Sequence, residues 1–133
     1  MLFLFLLVSS CEIFVIKGNK IVIEEESSYS QKTALGVVKI FVTELQNENY
    51  LAASELLIKD SGLFLNASEK YAATNGLSRM KRFLEGKNVV RELNDKLTDY
   101  SYSVVFELDN GQKARFTTIK HKNQYYILDY FRE

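Results

Sequence analysis

His121 is the only histidine in the chain and stands between Lys120 and Lys122, where a turn is expected. An imidazole can move a proton by itself, but a catalytic triad or a zinc centre needs partners at defined spacing. The sequence has no His-x-Glu pair, no Cys-x-x-Cys pair and one cysteine, so no catalytic residue and no metal ligand set is assigned. Gly18, Gly36, Gly62, Gly76, Gly86 and Gly111 are isolated, which supplies no phosphate-cradling loop, and no cofactor is expected. Asp129 is the residue best suited to acid–base work, because it sits among apolar neighbours and burial would raise its pKa. Strand alternation offers the other reading, an Asp129 facing solvent opposite Thr117 on a polar rim, and this reading is preferred. Tyr102, Tyr125, Tyr126 and Tyr130, together with Asp129, form the candidate ligand or partner surface. Amphipathic rings favour such surfaces, although alternate strand tyrosines also commonly fill a sheet core.

The remaining reactive group is the thiol of Cys11. It closes the uncharged apolar run from Met1, in the order Leu6-Leu7-Val8-Ser9-Ser10-Cys11. An apolar segment of about ten residues is too short for a hydrocarbon core of roughly 30 Å, and it fits a signal-peptide core better than an anchor helix. With small residues just before it, Cys11 is placed as the lipidation site of a bacterial lipoprotein, with residues 1–10 as signal peptide and 11–27 as a tether or short hairpin. The expected location is the bacterial cell envelope, on either membrane, with the bilayer as partner through the lipid. No Lys or Arg precedes Lys17, and Glu12-Ile13-Phe14-Val15-Ile16 is not a polar tether. Two other readings therefore stay open: a buried free cysteine at a strand start, and residues 1–16 as part of a longer membrane helix.

The 133 residues allow one core, in a domain expected over 28–133. Seventeen basic and 17 acidic residues cancel, which disfavours nucleic acid as a partner. A composition of 47% hydrophobic and 13% aromatic residues belongs to a folded, strand-rich chain. Proline is absent, so turns fall to Gly, Asn and Asp.

Ile13–Ile16 and Lys20–Glu25 flank Lys17-Gly18-Asn19 as a short hairpin would. Ser28 and Gln31 fit a capping box for a helix whose stripe is Ala34, Val37, Val38, Phe41, Val42 and Leu45. A second helix is expected from Tyr50 to about Lys59, ended by Asp60-Ser61-Gly62. A third, capped by Ser68, spans 69–85 and stops at Gly86. Leu63-Phe64-Leu65 reads as an isolated strand or a loop plug. Residues 88–97 fit helix and strand alike. Tyr100, Tyr102, Val104, Phe106 and Leu108 alternate strictly, and Gly111 suits a three-residue loop that faces Phe106 with Ala114, Val104 with Phe116 and Tyr102 with Thr118. The same geometry at Lys122-Asn123-Gln124 pairs Phe116 with Tyr130 and Thr118 with Leu128. It puts Leu128 on one face, and Val105, Ile119, Tyr125, Ile127 and Phe131 on the other. That second face calls for cover from elsewhere in the chain or from a second subunit.

The pattern Ala34-Leu35-x-x-Val38-x-x-Phe41, followed by Asn49-Tyr50-Leu51-Ala52-Ala53, resembles small bacterial lipoproteins of the nuclear-transport-factor-2-like superfamily, the cystatin-like folds that include ketosteroid isomerase. The ending Tyr125–Phe131 is similar too, with Tyr where Trp is more usual. The resemblance covers about residues 28–131, leaves out the N-terminal hairpin, and tips 88–97 toward a strand. It implies an α+β fold in which a curved antiparallel sheet, ending in a three-stranded meander, wraps the first helix as a cone. Such a cone holds an apolar ligand at its mouth or dimerises through its outer sheet face. Enzymes of the superfamily place acidic, His or Tyr groups inside the cone, and this sequence offers no matching set. The expected function is a lipid-anchored, non-enzymatic binding or interaction module, with an envelope protein or a second copy as partner. The alternatives are a small acid–base enzyme using Asp129 or Asp60 beside Tyr126, and a structural dimerising subunit.

Overall fold

The computed structural model describes residues 29–133, an α+β arrangement of helices and a four-stranded antiparallel sheet. Cys11, the expected hairpin and the Ser28 cap lie outside the described residues. Helix α1 (Ala34–Gln46) presents the expected stripe to the core, with Val37, Val38, Phe41 and Leu45 fully buried. Its cap is Thr33, whose Oγ1 accepts from the Gly36 amide at 2.9 Å, so the helix starts later than the capping-box reading placed it. Gln31 has another task. Its carbonyl accepts from the Tyr125 amide at 2.7 Å and its Nε2 donates to the Tyr125 carbonyl at 3.2 Å, covering a sheet edge.

Helix α2 (Tyr50–Ser54) is shorter than expected. The Ile58 amide donates to the Ile127 carbonyl at 2.9 Å, and the Ile127 amide to the Leu56 carbonyl at 2.8 Å. The Leu56 and Leu57 amides close the helix with bonds to the Ala53 and Ser54 carbonyls, and edge bonds to the sheet take over from Ile58, while Leu56 and Leu57 are still buried. Gly62 takes a left-handed φ of 82° in the turn that follows, and Phe64 bridges back to Ile58. Helix α3 (Ala67–Leu84) is capped by Asn66 rather than Ser68. A complete capping box joins Asn66 and Glu69, and Leu77, Met80 and Leu84 are buried.

The strands β1 (Val89–Thr98), β2 (Ser101–Leu108), β3 (Lys113–His121) and β4 (Gln124–Arg132) follow one another as a meander. The sheet has four strands rather than a three-stranded ending, because 88–97 supplies β1. The β2–β3 register matches the expectation at Tyr102–Thr118, Val104–Phe116 and Phe106–Ala114, with Gly111 left-handed at 85°. Phe116 does face Tyr130, but Thr118 faces Ile127 and not Leu128. The reason is a pair of compensating offsets. Lys122 and Asn123 both take positive φ in a two-residue turn, one residue shorter than expected, and a bulge between Thr117 and Thr118 on the pairing ladder accommodates Leu128. Tyr125 and Ile127 therefore join the inner face and are buried, whereas Leu128 is only half-buried.

The core lies between this inner face and α1. Phe41 meets Phe116 edge-on at 6.0 Å and Tyr130 at 5.5 Å, and Phe106 meets Phe116 at 5.6 Å. Aromatic contacts of this geometry add to the apolar area they bury. On the outer face Phe64 covers one corner, packing on His121 and Tyr126 at 5.8 and 5.0 Å.

Candidate functional site

The fold divides the tyrosines. Tyr102 and Tyr125 stack edge-on at 5.9 Å on the inner face. Tyr130 lies half-buried under Gly76 and against Phe41. Burial holds the Tyr130 hydroxyl above the ordinary tyrosine range, with the Asp129 charge adding to the effect. Tyr125 is raised as well, by burial first and then by Tyr102, against an opposing pull from Lys96. Among the four, Tyr126 points the other way, into a groove of about 390 Å³ whose walls include Phe64, Leu65, Gln31 and Lys70.

A second groove of about 390 Å³ adjoins it, lined by Tyr50, Leu51, Tyr71 and Thr74, and the two share Ser54 and Lys70. Helix α2 supplies one wall, and the first turns of α3 supply the other. Ser54 is held in the floor by donating to the Leu51 carbonyl at 2.6 Å. The rim carries exposed apolar side chains: Leu51 is 64% exposed, Phe64 47%, and Tyr71 85%. Such clustering of large apolar side chains in water marks contact surfaces more than single exposed residues do. Lys70 forms no ion pair among the described residues, while its neighbour Glu69 binds Lys59 at 2.7 Å. The Glu69 carboxyl is lowered by the hydrogen bond from the Asn66 amide first and by Lys59 second.

Asp129 is exposed and accepts from the Tyr130 amide at 2.8 Å, in register with Thr117 as expected. Asp60, also exposed, shares a shallow groove of about 340 Å³ with it. Tyr126 opens on a different groove, so neither Asp129 nor Asp60 shares a groove with it as the acid–base alternative requires. His121 ends β3, and its ring contacts Phe64 and Tyr126 rather than a carboxylate. Among the described residues no three His, Cys, Asp or Glu side chains gather as metal ligands would. None of their helices is long and apolar enough to cross a membrane.

Leu51, Lys70 and Tyr71 were missed by sequence reasoning. One signal was available: Tyr71 is a large aromatic off the Ala73, Leu77, Met80, Leu84 stripe of its own helix.

No family model matches the chain, and no curated protein matches it. A solved structure, a DUF4783 family protein from Bacteroides ovatus, is similar at 22% identity and a TM-score of 0.40, over 77% of this chain and 94% of that one.

Proposed function

We propose that the chain is a lipid-anchored protein of the bacterial cell envelope, acylated at Cys11, and that its α+β domain is a non-enzymatic binding module. The observation that carries the binding role is the exposed apolar rim of Leu51, Phe64 and Tyr71 around two adjoining grooves with Lys70 between them. Its chemistry suits a segment of another envelope protein that brings apolar side chains to the rim and a carboxylate to Lys70. The leucine-rich start with Ser9-Ser10-Cys11 supports the anchor. Helix α1 crossing the inner face of a bulged sheet supports a cystatin-like, nuclear-transport-factor-2-like arrangement.

Gln31 lines the Tyr126 groove, so the chain coming from Cys11 enters the domain beside the proposed contact surface. Even fully extended, the connection from Cys11 to Gln31 reaches no more than about 70 Å, so the domain works close to the bilayer. Asp129 and Asp60 are both exposed and lie in a groove apart from Tyr126, which argues against the acid–base alternative.

Two measurements test the reading. Intact mass of the protein expressed with its native upstream region should show loss of residues 1–10 and added acyl mass, both abolished by Cys11→Ser; an unmodified chain starting at Met1 overturns the anchor. A photoreactive residue replacing Tyr71 in cells should give a discrete protein adduct that Leu51→Glu or Lys70→Glu suppresses. An adduct no stronger than that from the hairpin-tip position Asn110 overturns the groove.

A further inference from the structure

The two edges of the sheet are treated differently. Along β4 the outward backbone groups of Tyr125 and Ile127 are taken up by Gln31, Leu56 and Ile58. Along β1 no described residue pairs with the outer side. Ten residues long, β1 is exposed along almost its whole length, with Leu93 alone half-buried. A long unpaired edge is a template for another strand, and folded proteins normally shorten or cover it.

Hydrogen-bond parity limits which strand fits. The Lys120 amide donates to the Tyr100 carbonyl and the Leu108 amide to the Gln112 carbonyl, so even residues of β2 address β3. Odd residues of β2 therefore address β1, where Arg91, Leu93 and Asp95 are the partners of Glu107, Val105 and Ser103. Glu92, Asn94 and Lys96 are left pointing their amides and carbonyls outward. Irregularities on either side of Arg91–Lys96 confine regular pairing to this stretch.

We infer that β1 pairs antiparallel with β1 of a second copy, about a two-fold axis at Leu93. In this register Leu93 faces its own counterpart, and Arg91 of each copy faces Asp95 of the other. Val105, buried beside Leu93, extends the apolar contact into a row of four side chains across the junction. Arg91 has only a long contact to Glu107, at 3.9 Å, and Asp95 makes no ion pair among the described residues, its described cationic neighbour being Arg115. The opposite face sets Glu92, paired with Lys39 at 3.6 Å, against Asn94, so no like charges meet.

The neighbouring registers allowed by parity are poorer. A two-fold at Asn94 puts Leu93 against Asp95 twice, one at Glu92 juxtaposes two glutamates, and one at Asp95 juxtaposes two aspartates. Like charges directly opposite destabilise a strand pair. The contact is small, so the dimer is weak in solution, and it leaves the groove beside β4 open on both outer ends.

The test uses the full chain in mild detergent with Cys11→Ser, so that an added thiol is the only one. Oxidation of Leu93→Cys should yield a disulfide-linked dimer, because directly opposed residues at a non-hydrogen-bonded pair approach within disulfide reach. Arg132→Cys, on the far edge, should yield far less. In sedimentation, the parent should dimerise at about 0.5 mM, Arg91→Glu should weaken the dimer about ten-fold, and Arg91→Glu with Asp95→Arg should restore it. Circular dichroism checks that these surface variants are folded. A monomer at that concentration, a Leu93→Cys yield equal to that of Arg132→Cys, cross-linking through Asn94→Cys instead, or failure of the charge swap would each overturn the pairing.

Discussion

Replacing Gly36 with alanine sets helix propensity against packing. Propensity alone makes the change favourable by about 0.5–1 kcal/mol, since glycine in a helix costs that much relative to alanine. The structure reverses the sign. A Cβ at residue 36 would lie well inside 3.0 Å of the Ser30 carbonyl oxygen and 2.7 Å from Thr33 Oγ1. The obstructing atoms are backbone and the helix cap, so a side-chain rotation cannot relieve the clash. Either α1 shifts, disturbing the fully buried Val37 and Phe41, or the 30–32 segment moves and strips Gln31 from Tyr125. Either route costs about 1–3 kcal/mol, through overpacking or through two hydrogen bonds at about 0.5–1.5 kcal/mol each, which outweighs the propensity gain and leaves Gly36→Ala less stable by about 1 kcal/mol. For a domain of this size that is a fall of roughly 5 °C in Tm, or of about 0.5 M in the urea midpoint at unchanged slope. Gly76→Ala is the control, because its added Cβ meets only the Tyr130 hydroxyl, at 2.9 Å, the far end of a side chain. Combined with Tyr130→Phe, it should be no less stable than Tyr130→Phe alone. A Gly36→Ala protein as stable as wild type by urea denaturation would refute the close approach of Ser30 to α1.

Three further outcomes are expected. Because the folded Tyr130 pKa is raised, the unfolded phenol loses its proton first as pH passes about 10, so stability is full below that value and declines above it until the folded group also titrates. Denaturation curves between pH 9 and 11.5, a span bracketing the tyrosine range of about 10, should show a shallower alkaline decline in Tyr130→Phe, and an equal slope would count against the burial. Asn66→Ala removes the side-chain acceptor for the Glu69 amide and should cost about 1 kcal/mol in chemical unfolding, whereas Ser68→Ala should be neutral. Since Lys122 and Asn123 hold φ of 50° and 67°, Asn123→Gly relieves strain and should raise Tm; destabilisation would contradict a two-residue left-handed turn there.

Elements whose signal repeats along the chain were legible without the fold. The period-two alternation of β2 from Tyr102 onward and of β3, the left-handed Gly111 and the six-residue stripe of α1 all depend on near neighbours and stand as read, whereas Tyr100 falls in the turn before β2 and is exposed. The strand at 88–97 needed the family resemblance, since its residues suit a helix equally well and its apolar side chains are mostly left in water. Tertiary contacts decided the rest. Whether Gln31 caps a helix or covers β4, and whether the chain after Ser54 stays helical or bonds to Ile127, depends on backbone groups almost 70 or more positions away. The Leu128 bulge shows the same limit: a turn one residue short and a bulge one residue long restore the Phe116–Tyr130 pair, and only packing against α1 favours Ile127 inside over Leu128. The Lys70 groove was illegible for a related reason. Its walls come from α2, the 63–65 segment, α3 and β4, and no periodicity along a single element records which side chains four elements leave uncovered together.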